Sequence, residues 1–192
     1  MGLGWRGAES SMHQQSWTCG YCGKSVGGNV GYRREDINDK TKAIYICPYC
    51  ENPTAFIANE FGSIGQYPGS IIGTGVNGLP ETVAALYEEI RRCVQYHAFT
   101  SAVLASRKLL MHIAVEQGAS ENMKFIEYVE YLEEIHYIPP NGGEWVDEIR
   151  KRGNEATHEI VIMAEDDAIQ LLDFCEMLLK FIYEFPSRIK HK

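Results

Sequence analysis

Four of the six cysteines come in two pairs of identical spacing, Cys19-Gly20-Tyr21-Cys22 and Cys47-Pro48-Tyr49-Cys50, with 24 residues between them. A Cys-x-x-Cys turn aims two sulfurs at one point about 3.7 Å apart, the separation set by a tetrahedral ion with metal–sulfur bonds of about 2.3 Å. Two such turns complete a tetrahedron. Cys19, Cys22, Cys47 and Cys50 are therefore expected to hold one structural zinc per chain, with every coordination position filled by protein. Gly20, Gly23 and Pro48 suit the tight turns this requires.

Short strand-like runs lie between and after the pairs, at residues 30–34, 42–46 and 54–57, with a turn at Asn38-Asp39. That pattern predicts a small β zinc ribbon. The alternatives are redox motifs, which call for a βαβ context missing here, and disulfides, which call for an oxidising compartment. The N-terminus, MGLGWRGAESSMHQQ, carries no apolar core of signal-peptide type, so cytoplasmic localisation and reduced thiols are expected. No apolar run approaches the 18 or so residues that cross a bilayer, and no membrane span is predicted. Cys93 and Cys175 fall on apolar helix stripes and are read as core packing.

The net charge of −8 is uneven. Residues 1–61 hold six Lys/Arg against six Asp/Glu, and residues 62–192 hold twelve against twenty. Such a balance disfavours non-specific binding to polyanions, so any nucleic-acid contact must be local. The expected organisation is a flexible N-terminus (1–15), a zinc ribbon (16–61), a Gly-rich linker (62–78), a helical bundle (79–186) and a C-terminal tail (187–192). Within the linker, Gly73-Thr74-Gly75-Val76-Asn77-Gly78 matches G-x-G-x-x-G. A dinucleotide site also needs flanking strands, whereas this sequence runs on into helices, so no cofactor is expected there.

Five amphipathic helices are predicted, and their short connections imply an antiparallel bundle. The first carries Leu79, Val83, Leu86, Ile90, Cys93, Val94 and His97. The second carries Phe99, Val103, Ser106, Leu109, Leu110 and Ile113 and ends near Gly118. Ser120 is expected to cap the third, the fourth covers about 144–158, and the fifth opens on Glu165-Asp166-Asp167, acids suited to a helix N-terminus.

The fourth contains RKRGNEATH, residues 150–158. At about 100° per residue, Trp145, Ile149, Arg152, Gly153 and Ala156 share one side, while Lys151, Asn154 and His158 share the other. Asn154 and His158 are neighbours at i, i+4. An imidazole and an amide beside cations can hold a phosphate and move a proton near neutral pH; a polar helix face explains the same residues.

Residues 79–184 resemble a bacterial domain of unknown function found in restriction-endonuclease polypeptides and often preceded by a zinc ribbon. The resemblance rests on Leu79-Pro80-Glu81, Tyr87-Glu88-Glu89-Ile90, the run from Ala102 to Arg107, and Gly153-Asn154-Glu155-Ala156-Thr157-His158. That domain is similar to the HEPN superfamily of helical bundles, many of them metal-independent RNases whose motif is an Arg, often followed by Asn, with four to six residues before a His, two such motifs usually meeting across a dimer. The resemblance implies an all-α, HEPN-like antiparallel bundle, a homodimer and RNA as a substrate or ligand. It makes His158, Asn154, Arg152 and Arg150 the catalytic candidates. Gly153 stands where many active members have Arg. Arg152 has the permitted spacing but points about 120° from His158 on an ideal helix, and Arg150 lies closer in angle but too far in sequence, so catalysis needs a helix distorted at Gly153 or an arginine from elsewhere, such as Arg107, or it does not occur. Three functions stay open: a HEPN-like RNA-binding protein or endoribonuclease in prokaryotic defence or stress, a non-catalytic adaptor for a protein partner such as a nuclease or phage component, and a DNA-binding ribbon.

Overall fold

The computed structural model describes residues 5–33, 42–58, 63–138 and 162–189. The chain divides into two compact units, Met1–Ile71 and Ile72–Lys192.

In the first unit, β1 (Gln15–Thr18) and β2 (Ser25–Gly28) form an antiparallel hairpin. A second antiparallel sheet runs in the order β3 (Gly31–Arg33), β4 (Lys42–Ile46), β5 (Pro53–Ala58) and β6 (Ile64–Tyr67). Alternation in β4 and β5 turns Tyr45, Thr54 and Phe56 inward and leaves Ile44 and Ile57 exposed. Trp17 from β1 meets both inward rings, with centroids 5.8 Å from Tyr45 and 6.0 Å from Phe56, and those two rings lie 5.6 Å apart. This aromatic triad, Val26, Met12 and the cysteines make up the small core.

Close backbone approach explains one glycine. Gly31 pairs with Tyr45 on one side and exchanges backbone hydrogen bonds with Glu9 on the other, at 2.8 and 3.0 Å. A Cβ at Gly31 would stand 1.9 Å from the Ile44 carbonyl oxygen.

The sequence boundaries differ from the structure at both ends of this unit. Residues 5–15, expected to be flexible, include the Glu9–Gly31 bridge, buried Met12, and a Trp5 indole N–H donated to the Glu51 carbonyl at 3.0 Å. The segment expected to be a linker opens with β6, which pairs with β5 from Ala55↔Tyr67 to Ala58↔Ile64. Its Ile-Gly-Gln-Tyr sequence is too short and glycine-rich to display strand periodicity, and a strand partner supplies what local propensity lacks.

The second unit contains α1 (Glu81–Gln95), α2 (Phe99–Glu116), α3 (Phe125–Glu134), α4 (Glu165–Leu179), a π-helical turn (Lys180–Glu184) and α5 (Phe185–Ile189). α2 packs against α1, α3 and α4, and the buried stripes Val83/Tyr87/Ile90/Val94, Val103/Leu109/Leu110/Ile113 and Leu171/Leu172/Cys175/Leu178 meet in one core. The predicted apolar faces are thus met, with two local exceptions. His97 is not on the α1 stripe: the helix ends at Gln95, and His97 takes φ 60° in the turn to α2. Ser120 does not cap α3. The helix begins four residues later, where the Lys124 backbone N–H is taken by Glu127 Oε2 at 2.5 Å. The same reach-back occurs at α4, where Asp167 Oδ2 accepts the Ala164 N–H at 2.8 Å, as the acidic run suggested. The π turn lies just before Pro186, which has no N–H for the carbonyl one turn earlier. The fourth predicted helix, about 144–158, lies outside the described residues.

Candidate metal centre and neighbouring site residues

The four paired cysteines converge from two turns of the same construction. Cys19 N–H donates to the Lys24 carbonyl (2.9 Å) while its own carbonyl accepts the Gly23 N–H (2.9 Å); Cys47 does the same with Asn52 (3.0 Å) and Glu51 (2.9 Å). Each turn ends in the left-handed region, Gly23 at φ 70° and Glu51 at φ 58°. The four sulfurs all lie within 4.8 Å of one another, with Cys19–Cys50 at 3.6 Å and Cys22–Cys47 at 3.9 Å. These spacings bracket the roughly 3.7 Å edge of a tetrahedral thiolate site. Four soft, convergent donors fit a metal ion, and they leave no coordination position for water or substrate.

The protonation pattern is what an ion would replace. Burial pushes the Cys19 thiol up to about 12. Burial also opposes ionisation of Cys50, but hydrogen bonds from Asn52 and the neighbouring Cys19 and Cys47 thiols bring it down to about 7. A bound cation would override the Cys19 shift, because a sulfur that coordinates a metal is a thiolate.

Two features the spacing does not reveal support this centre. Gly20 is required by packing, because a Cβ there would stand 2.3 Å from the Gly69 carbonyl oxygen. The segment making that contact is anchored by Gln66, whose side-chain amide donates to the carbonyls of Thr18 (2.8 Å) and Pro68 (3.0 Å). Lys24 of the first turn lies 4.3 Å above the Tyr49 ring of the second, tying the two together.

In the second unit the G-x-G-x-x-G segment is held by carboxylates. Thr74 donates its N–H to Glu176 Oε2 (2.7 Å) and its hydroxyl to Oε1 (2.6 Å), and Asn77 donates its N–H to Glu184 Oε2 (3.1 Å). The Tyr87 hydroxyl lies 3.0 Å from both Glu176 Oε2 and the Thr74 carbonyl, while Arg91 donates to the carbonyls of Ile72 (2.9 Å) and Gly73 (3.1 Å). Gly73 and Gly78 supply the positive φ of 71° and 78°. The Thr74 and Asn77 amides that a phosphate-cradling loop would present are already committed, to groups of the phosphate's own sign. Although burial alone would raise it, Glu176 is brought down to about 2 by Lys180, the Thr74 hydroxyl and amide, and Tyr87. Glu176 and Glu184 escaped sequence reading because nothing local marks an acid 102 or 107 residues away as the partner of a glycine loop.

Cys175 is fully buried, its thiol directed at the Ser106 carbonyl (3.9 Å) and pushed up to about 12 by burial; Cys93 is half-buried, and burial and then Glu89 raise it as well. Both behave as packing cysteines. The catalytic candidates Arg150, Arg152, Asn154 and His158 lie outside the described residues. Arg107 lies on α2, half-buried, with its guanidinium carbon 4.2 Å from the centroid of the Phe125 ring. Among the described residues, no helix is long and apolar enough to cross a membrane.

A family model described as a domain of unknown function, DUF4145, matches residues 88–191, more than half of the chain. No curated protein and no solved structure matches.

Proposed function

We propose that this chain, which belongs to the family of the domain of unknown function DUF4145, is a HEPN-like RNA-binding protein or metal-independent endoribonuclease of a prokaryotic defence or stress system. The observation that carries this reading is the i, i+4 pair Asn154 and His158, set beside Arg150, Lys151 and Arg152 in a chain otherwise rich in acids. A neutral imidazole at position 158 takes the proton of a ribose 2′-hydroxyl as that oxygen attacks the adjacent phosphorus. The phosphorus–5′-oxygen bond breaks, the departing oxygen takes up a proton, and a cyclic phosphate remains. An arginine, from Arg150, Arg152 or Arg107, bears the charge that develops on the phosphate. In this reading the protein is a cytoplasmic homodimer that brings two motifs together.

Zinc is the ion we assign to Cys19, Cys22, Cys47 and Cys50, since four thiolates in a tetrahedral closed set suit it. It folds the ribbon, and the chemistry belongs to the helical unit. Cleavage of labelled RNA in the presence of EDTA, lost in His158→Ala, is the expected result. Absence of cleavage across a range of RNAs defeats the enzyme reading.

A second reading, a non-catalytic adaptor for a nuclease or phage component, draws on an exposed apolar ridge. Phe181 (50% exposed) and Phe185 (39%) stand edge-to-face with centroids 5.3 Å apart, and Ile189 beyond them is 75% exposed. For that reading the zinc assignment is unchanged.

A further inference from the structure

A cavity of about 400 Å³ opens in the first unit, lined by Trp5, Asn29, Val30, Ile46, Pro48 and Glu51 among others. That volume falls within the range of small-ligand sites, about 300–1,000 Å³. Val30 and Ile46 flank the Gly31↔Tyr45 pair, so the cavity lies at the end of the β3–β4 ladder opposite to the Arg33↔Ala43 pair.

The wall supplied by Trp5 is fixed on three counts. Its indole N–H donates to the Glu51 carbonyl at 3.0 Å, and its ring meets Tyr32 edge-on with centroids 6.3 Å apart. The Tyr32 hydroxyl in turn donates to the carbonyl of the next residue, Arg6, at 2.7 Å. The indole nevertheless stays 43% exposed and Val30 40%, so these apolar walls are open to a ligand rather than packed into the core. With its N–H engaged, what the indole still offers is its π face.

Glu51 is the one residue of formal charge in this lining. Its backbone disfavours it: φ is 58°, and the equivalent residue of the first turn is a glycine, Gly23, at φ 70°. The turn therefore forms without a side chain at this position, and Glu51 is kept there at a cost in strain that glycine would relieve. Strain of this kind collects at ligand sites. An acid, an indole face and aliphatic walls together complement a cation on an alkyl stem, because ring and carboxylate attract the charge while the walls take the stem.

We infer that this cavity receives an aliphatic cation, of the kind that a lysine side chain of a partner protein presents. The inference does not rest on the RNA reading, whose candidate residues belong to the second unit.

The test titrates the full metal-loaded chain, isotope-labelled, with an acetyl-Gly-Lys-Gly-amide peptide and with its neutral norleucine counterpart. The Trp5 indole N–H and the Gly27 and Gly28 amides, which also line the cavity, report binding by nuclear magnetic resonance. The lysine peptide should shift them saturably and bind at least about fivefold tighter than the norleucine peptide. Glu51→Gln, which keeps the carbonyl that holds Trp5, should remove most of that preference. Glu51→Gly should remove it while raising the melting midpoint, a pair of opposite effects that a purely structural residue would not give. Trp5→Leu should weaken the lysine peptide more than the norleucine one. Equal affinity for the two peptides overturns the proposal, as does a Glu51→Gln variant that binds the lysine peptide like wild type, or the absence of any saturable shift. Should Trp5→Leu fail to fold, Glu51→Gln decides alone. n-Butylamine, the side chain without its peptide, should bind more weakly than the lysine peptide; equal affinity would give the site to a free amine and overturn the protein partner.

Discussion

Gly23 and Glu51 occupy the same position in the two Cys-x-x-Cys turns, each four residues after the leading cysteine and each donating its N–H to that cysteine's carbonyl at 2.9 Å. Both sit at positive φ, 70° and 58°, but only one is a glycine. A non-glycine residue in this region costs about 1–2 kcal/mol, part of which glycine returns through its greater freedom in the unfolded chain. Glu51→Gly should therefore stabilise the metal-loaded protein by roughly 0.5–1 kcal/mol. Gly23→Ala should destabilise it by a comparable amount. Thermal melting of both variants checks the pair; a lower midpoint for Glu51→Gly would contradict the turn equivalence.

Metal removal should act on one unit only. The ribbon core consists of Trp17, Tyr45, Phe56 and a few neighbours around the cysteines, too little apolar surface to offset chain entropy without a crosslinking ion. The helical core contains none of the four metal-site cysteines. A strong chelator should abolish the near-ultraviolet dichroism of Trp17 and Tyr45 while the far-ultraviolet helical signal largely remains. Metal analysis before chelation should return one zinc per chain. A ribbon that keeps its aromatic signal without metal would refute the structural role.

Gly31 and Gly75 make a matched contrast. A Cβ at Gly31 meets the Ile44 carbonyl at 1.9 Å between two bonded strands, whereas one at Gly75 meets nothing within 4 Å. Gly31→Ala should cost on the order of 2–4 kcal/mol, through strand displacement and broken ladder bonds. Gly75→Ala should be neutral or slightly stabilising. Denaturant midpoints distinguish the two, and equal effects would mean that the close approach at Gly31 is relaxed at no cost.

Glu176 links the glycine loop to acid stability. Its carboxyl lies at about 2 in the fold against an ordinary 4.5, so near pH 4 the unfolded chain binds more protons than the native one. The stabilisation is complete above about pH 4.5 and is lost as pH falls toward 2. Glu176→Gln should cost on the order of 2–3 kcal/mol at neutral pH, where a charged acceptor of several hydrogen bonds is replaced by a neutral one. The gap between variant and wild type should narrow steadily in urea titrations taken from pH 6 down to pH 3. A gap independent of pH would show that the charge of Glu176 is not what holds Thr74.

The sequence alone determined the grouping of the four paired cysteines and most of the helical core, because both are written in local spacing. Two Cys-x-x-Cys turns must converge once a shared ion is available, and apolar residues every three to four positions must share a helix face. It did not disclose strand β6, the need for Gly20, or the clamp of Glu176 and Glu184 on Thr74 and Asn77. Those depend on groups brought together from up to 107 residues apart. Only tertiary structure decided that a loop with the glycine pattern of a phosphate cradle is held by carboxylates instead. The physical reason is that a backbone N–H requires an acceptor without specifying which one, and the acceptor arrives only when the distant helix packs beside it.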